Sequence, residues 1–171
     1  MTVHHNSKLK LPLLSLLTMY VRFYFLSLAI KKEKHLLPQT PFNLLKQYLD
    51  GLSVVVIKNN MIVAHVTLWP LIDNWYEYGT IWVHRDYRQH GLAKKILRVL
   101  LEKNQDKYIL ATTTNPIVVT MNLHAGMNIQ SFDQLPAVIH RATCVCSFKK
   151  TGNIDCLECQ IKDKECQLFV N

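Results

Sequence analysis

The stretch that most limits what this chain can fold into runs from Trp75 to Asn104. Trp75 to Val83 is aromatic and β-branched and reads as a strand. It passes directly into Arg88-Gln89-His90-Gly91-Leu92-Ala93 and then a helix ending near Asn104, packed on Leu92, Ile96, Val99 and Leu100. A second strand and helix follow, Tyr108 to Ala111 and Pro116 to Ala125, with Asn115 as the helix cap and Gly126 as its stop. Strand then helix, twice, requires a mixed α/β sheet. Upstream, Ser53 to Ile57 and Met61 to Leu68 flank the turn residues Lys58-Asn59-Asn60 and read as a hairpin. Phe42 to Leu49 reads as a short helix, with Thr40 as its cap, Pro41 at its first position and Asp50-Gly51 closing it.

The 171 residues are 49% hydrophobic and 19% charged, which affords one compact core and excludes a disordered tail or a collagen-like fibre. We read 1–171 as a single domain: N-terminal helices over 1–50, a core over 52–135 and a cysteine-rich segment over 136–171. Twenty Lys and Arg against twelve Asp and Glu leave a net charge of +8. Residues 1–50 hold +5 of it and residues 151–171 hold −2. Such a balance suits an anionic partner or simple solubility and does not choose between them.

Leu11 to Ile30 is as long as the ~20 residues that cross a bilayer. Arg22 in its middle costs about 2.5–3.5 kcal/mol on insertion, which eleven Leu, Val, Phe and Ile side chains at about 0.3–0.6 kcal/mol each scarcely outweigh once Pro12, the hydroxyls and the tyrosines are counted. A membrane span is one reading, and an export signal, with Lys8 and Lys10 ahead and Ser27-Leu28-Ala29 as a poor cleavage site, is another. The preferred reading is a core helix that buries Leu14, Leu17, Val21, Tyr24 and Leu28.

The turn at residues 83–93 carries the chemistry. A turn that ends in a helix N-terminus presents unpaired N–H groups and the positive end of the helix dipole, so it suits an anion such as a pyrophosphate. Gly91 lets a phosphate approach the backbone, Ala93 does not cover the turn, Arg88 adds a fork-shaped positive charge, and Lys94 and Lys95 extend the field. An ordinary βα turn with a solvated basic first turn is the plain alternative.

Val83-x-x-x-Tyr87-Arg88-x-x-Gly91-x-Ala93 resembles the acetyl-CoA-binding motif of the GCN5-related N-acetyltransferase (GNAT) superfamily, V-x-P-x-Y-R-x-x-G-x-G/A. The element order over about residues 40–135 is similar too, down to Asn115 and the helix ending Leu123-His124-Ala125-Gly126-Met127. Arg85 stands where the family has Pro, Met127 where it has Phe, and the family's first strand is not evident ahead of the N-terminal helix. The resemblance implies an acyl-CoA N-acyltransferase fold, a central and mostly antiparallel sheet flanked by helices. It also implies acetyl-CoA as co-substrate, with the amides of Gln89, His90, Gly91, Leu92 and Ala93 on the pyrophosphate. The backbone of Trp82 and Val83 would pair with the pantetheine arm, and Asn115 would hydrogen-bond that arm or a water.

The family's amine attacks the thioester directly, so a base and a proton donor for the thiolate are required. Glu77, six residues before Val83 where the histone-modifying branch keeps a glutamate, is the candidate base; a carboxylate on the strand's outer, solvated face is the plain reading. The tyrosine that often protonates the thiolate corresponds to Asn122, which cannot act as an acid, and His124 is the candidate substitute or a merely solvated histidine. A silent CoA-binding relative, or a basic nucleic-acid or membrane-associated protein, are the competing functions. No nucleic acid and no membrane is assigned as a partner, the acceptor is a small-molecule or peptide amine, the chain is expected as a monomer or homodimer, and cytoplasmic location is expected.

All five cysteines fall between Cys144 and Cys166, as Cys144-x-Cys146 and Cys156-x-x-Cys159 followed by Cys166. Zinc by the first four, free thiols and disulfides are all compatible with that spacing, and no metal is assigned. Cys166 to Val170 reads as a last strand.

Overall fold

The computed structural model describes the backbone of residues 2–5, together with residues 12–33, 36–143 and 167–171. The elements are β1 (Thr2–His5), α1 (Leu13–Lys31), α2 (Pro41–Leu49), β2 (Ser53–Lys58), β3 (Met61–Pro70), β4 (Trp75–Val83), α3 (Leu92–Lys103), β5 (Tyr108–Thr113), α4 (Pro116–His124), β6 (Asn128–Gln130), α5 (Ala137–Thr143) and β7 (Gln167–Val170). The strands are hydrogen-bonded in the order β1-β2-β3-β4-β5-β7-β6. β4 runs parallel to β5, whereas β1 with β2, β2 with β3, β5 with β7 and β6 with β7 are antiparallel. The mixed, mostly antiparallel α/β sheet is the one expected.

The sequence reads as a single domain with segments at 1–50, 52–135 and 136–171. The structure gathers the chain into two compact units, Met1–Trp69 with Tyr78–Asn104, and Pro70–Glu77 with Gln105–Asn171. The boundary follows the sheet and falls inside β4, after Glu77.

In the first unit, β2 and β3 carry near-continuous β-branched and small apolar runs, as strands covered on both faces do. Val54, Val55, Val56, Val63, Ala64, Val66 and Leu68 are all buried. Asn59 and Asn60 join the two strands with φ of 48° and 63°, the left-handed pair a two-residue hairpin favours. Val55 packs with Met19, Phe23, Leu26 and Ile30 of α1 and with Leu44 and Tyr48 of α2. Amphipathic α3 packs against β2 and buries Ile96, Leu97 and Leu100.

Helix α1 forms where expected but buries a different face. Leu14, Leu17, Val21, Tyr24 and Leu28, expected in the core, are exposed, and Met19, Phe23, Leu26, Ser27 and Ile30 are buried instead. The helix is apolar around most of its circumference, so periodicity does not select a face and its partners do. Ser27 donates to the Gln39 carbonyl at 2.6 Å, and Arg22 donates to the Asn60 carbonyl at 3.2 Å, which turns the Phe23 side inward.

The strand not evident ahead of this helix is β1, paired with β2 from Thr2↔Ile57 to His5↔Val54. Thr2-Val3-His4-His5 is too short and too polar to announce a strand, and β2 supplies the template. In the second unit, Leu110, Leu135, Ile139, Leu168 and Val170 form the core, with Trp75 and Phe132 against it. The expected last strand is present as β7, while β6 and α5 are short elements that sequence reading did not separate. All five cysteines, and the zinc, thiol and disulfide readings attached to them, lie outside the described residues. Among the described residues no group of three or more His, Cys, Asp or Glu could hold a metal.

Candidate functional site

The turn between β4 and α3 is built from two left-handed residues and a short 3-10 turn. After Val83, His84 caps the turn Arg85–Tyr87 by accepting at Nδ1 from the Asp86 N–H at 3.3 Å, and Lys58 Nζ lies 4.8 Å from the centre of the Tyr87 ring. Arg88 is extended, Gln89 has φ 66°, and Gly91, at φ 69° and ψ 9°, is the N-cap of α3. Glycine has no side chain with which to cap, so the N–H groups of Leu92, Ala93 and Lys94 are left to another acceptor. A Cβ placed on Gly91 would meet nothing within 4 Å. The open space, the uncapped amides and the helix dipole together suit an anion.

Arg88 supports this turn from within the protein. Its Nε donates to the Val83 carbonyl at 3.0 Å and its Nη2 pairs with Glu33 at 2.5 Å, just beyond α1. Gln89, His90 and Gly91 are exposed, with Nδ1 of His90 2.7 Å from the Arg88 carbonyl, whereas the Trp82 side chain belongs to the core.

Before reaching the turn, β4 is bent. Thr80 has φ 53°, a left-handed conformation that a β-branched residue adopts only when its surroundings impose it. Its carbonyl lies 3.2 Å from Nδ1 of His65, and its hydroxyl accepts from Trp69 Nε1 at 3.3 Å. A carbonyl only accepts, so His65 carries its proton on Nδ1. His65 is fully buried, packs edge-on against Phe23, and has no hydrogen-bond partner at Nε2 among the described residues. Burial lowers its pKa from 6.5 to about 4. Gly79 makes room for the lock, because a Cβ there would stand 3.3 Å from the Trp69 ring.

The second unit holds Glu77, Asn115 and His124. Glu77 is half-buried and opposite Leu110 of β5, and its Oε1 accepts from Thr112 Oγ1 at 3.1 Å. Asn115 caps α4 as expected, Oδ1 accepting from the Ile117 N–H at 2.9 Å, and its own N–H donates to Thr113 Oγ1. Its side-chain amide keeps two donors. Asn122 is fully buried, and His124 is exposed in the last turn of α4.

The acetyltransferase (GNAT) family profile matches residues 15–124, well over half of the chain. The chain belongs to the GNAT acetyltransferase family. Acetyl transfer from acetyl-CoA is therefore its general chemistry. No curated protein matches the sequence. Solved structures share the fold at low identity. A Mycobacterium tuberculosis protein solved in complex with CoA aligns at TM-score 0.64 and 14% identity over 99% of this chain and 98% of its own. A Salmonella typhimurium protein solved with its cofactor acetyl-CoA aligns at 0.56 and 17% over 77% and 81%. The ribosomal-protein-alanine N-acetyltransferase of Brucella melitensis aligns at 0.55 and 14% over 77% and 86%.

In this GNAT protein the residues expected around the cofactor turn, Trp82, Val83 and Arg88 to Ala93, all fall in the first unit and lie on one continuous strand, turn and helix. Glu77, Asn115 and His124 fall in the second. Sequence reading missed His65, Trp69 and Thr80, although a glycine inside a strand, here Gly79, signals a bulge or a close approach. It also missed Glu33, whose partner Arg88 is 55 residues away.

Proposed function

We propose that this protein transfers the acetyl group of acetyl-CoA to the amine of a small molecule or peptide. The observation that carries the reading is the uncapped, glycine-started N-terminus of α3, with open space in front of it, inside the segment that matches the family. Acetyl-CoA supplies an activated acyl carbon in its thioester. The amides of Gln89, His90, Gly91, Leu92 and Ala93 hold the pyrophosphate, with Lys94 and Lys95 extending the field and Arg88 stiffening the cradle. The backbone of Trp82 and Val83 orients the pantetheine arm, and the free amide donors of Asn115 hydrogen-bond that arm or a water.

Glu77, set by Thr112, takes the proton from the attacking amine. Coenzyme A thiolate is a good leaving group near neutral pH, and His124 is the donor this chain offers it, in place of the acid that Asn122 cannot be. The protein works as a monomer or homodimer, in the cytoplasm.

Glu77→Gln tests the assignment. Turnover at saturating cofactor on an amine panel should fall by about 10²–10⁴-fold with acetyl-CoA affinity unchanged. A wild-type rate across pH 6–9 would clear Glu77 of the role.

A further inference from the structure

We propose that the outward face of α1 seats the protein on an anionic lipid surface, with the helix lying in the plane of the interface. The inference does not depend on the acetyl-transfer reading. Leu14, Leu17, Val21, Tyr24, Phe25 and Leu28 lie on a face that nothing covers among the described residues, and Leu14 is 77% and Phe25 59% exposed. Scattered apolar residues on a surface need no explanation, whereas a continuous apolar strip along a nineteen-residue helix does. The rings of Tyr24 and Phe25 meet edge to face, with centroids 5.8 Å apart, a rigid aromatic pair of the kind that settles at the level of lipid headgroups.

Charge decides what kind of surface. Residues 1–32 contain Lys8, Lys10, Arg22, Lys31 and Lys32 and not one Asp or Glu. Lys31 and Lys32 are exposed at the end of the helix, where they can reach anionic headgroups while the apolar strip enters the acyl boundary. A second copy fits this face poorly. Packed parallel, the ends that carry Lys31 and Lys32 meet, no Asp or Glu of α1 neutralises them, and the adjacent Glu33 is held by Arg88.

The helix does not cross the bilayer while the fold is intact. Phe23, Leu26 and Ile30 are buried in the first unit's core, and the Arg22 guanidinium is held by the carbonyl and side chain of Asn60. It therefore lies on the membrane.

Co-sedimentation of the full chain with vesicles tests this. Vesicles of seven parts phosphatidylcholine to three parts phosphatidylglycerol should bind it at least tenfold more tightly than phosphatidylcholine alone, and high salt should remove most of the difference. Leu17→Glu with Phe25→Glu should weaken binding at least tenfold while melting temperature and acetyl-CoA affinity stay unchanged, both positions being exposed. Lys31→Gln with Lys32→Gln should reduce the preference for the anionic vesicles. No binding to anionic vesicles, or binding that ignores the Leu17 and Phe25 changes, would overturn the proposal. A dimer of the free protein in sedimentation velocity, dispersed by those same changes, would assign the face to a second copy and overturn it equally.

Discussion

This protein makes the same connection twice, strand into helix, and finishes the two helices in opposite ways. At the start of α4, Asn115 supplies the capping oxygen and Pro116 removes one N–H that would need a partner. At the start of α3, Gly91 supplies nothing, and two residues of the turn, Gln89 and Gly91, are left-handed. The strands leading in differ too, since β4 is bent at Thr80 whereas no residue of β5 has a positive φ. A helix N-terminus that caps itself offers fewer free amides than one that does not, and the latter can bind an anion. Strain and open amides therefore gather at the first turn and stability gathers at the second.

The largest test of that contrast is acid. His65 holds the bend in β4, and its pKa is about 4 in the folded protein against 6.5 unfolded. Between those values the unfolded chain binds the extra proton, so stability is full above pH 6.5 and falls as pH drops toward 4, by about 3 kcal/mol in all. Urea melts from pH 7 to 4 should show that slope. His65→Asn, which can keep a donor toward the Thr80 carbonyl but has no proton to gain, should lose it, and an unchanged slope would remove His65 from the lock.

Next comes the turn itself. Gly91→Val puts a branched side chain where only open space stands now and forces a left-handed φ on it. Acetyl-CoA affinity measured by calorimetry should fall by tenfold or more, about 1.4 kcal/mol. The strain, roughly 1–2 kcal/mol, should appear separately as a lower melting point.

Asn115 sharpens the comparison from the other side. Asn115→Ala removes the cap of α4 and should cost about 1 kcal/mol of stability in urea melts. Asn115→Asp keeps the capping oxygen and deletes the amide donors, so it should leave stability intact and weaken only the cofactor. The smallest effect belongs to Glu33→Gln. Its ion pair with Arg88 is partly exposed, and the loss of stability should stay below about 1 kcal/mol.

Features governed by local chemistry were legible in the sequence. Asn59 and Asn60 adopt the left-handed turn their side chains favour, Gly91 stands at the head of α3, Asn115 caps α4, and Gly126, at φ 86°, stops it. What a distant partner decides was not legible. α1 offers two apolar faces, and only contact with α2 and the hairpin turn chooses between them. β1 is a strand because β2 is beside it, and His65 reads as an ordinary strand residue until Thr80, fifteen positions on, is found bent against it. For the same reason the candidate cofactor turn, one continuous stretch of chain, was readable, whereas the hydrogen bond of Thr112 to Glu77, from another strand, was not.

In the proposed function the uncapped start of α3 binds the pyrophosphate of acetyl-CoA. Calorimetric titration of the full chain with acetyl-CoA tests it most directly. Saturable one-to-one binding is expected. Absence of binding by protein that melts cooperatively would contradict it and leave Arg88 to Ala93 as an ordinary turn between a strand and a helix.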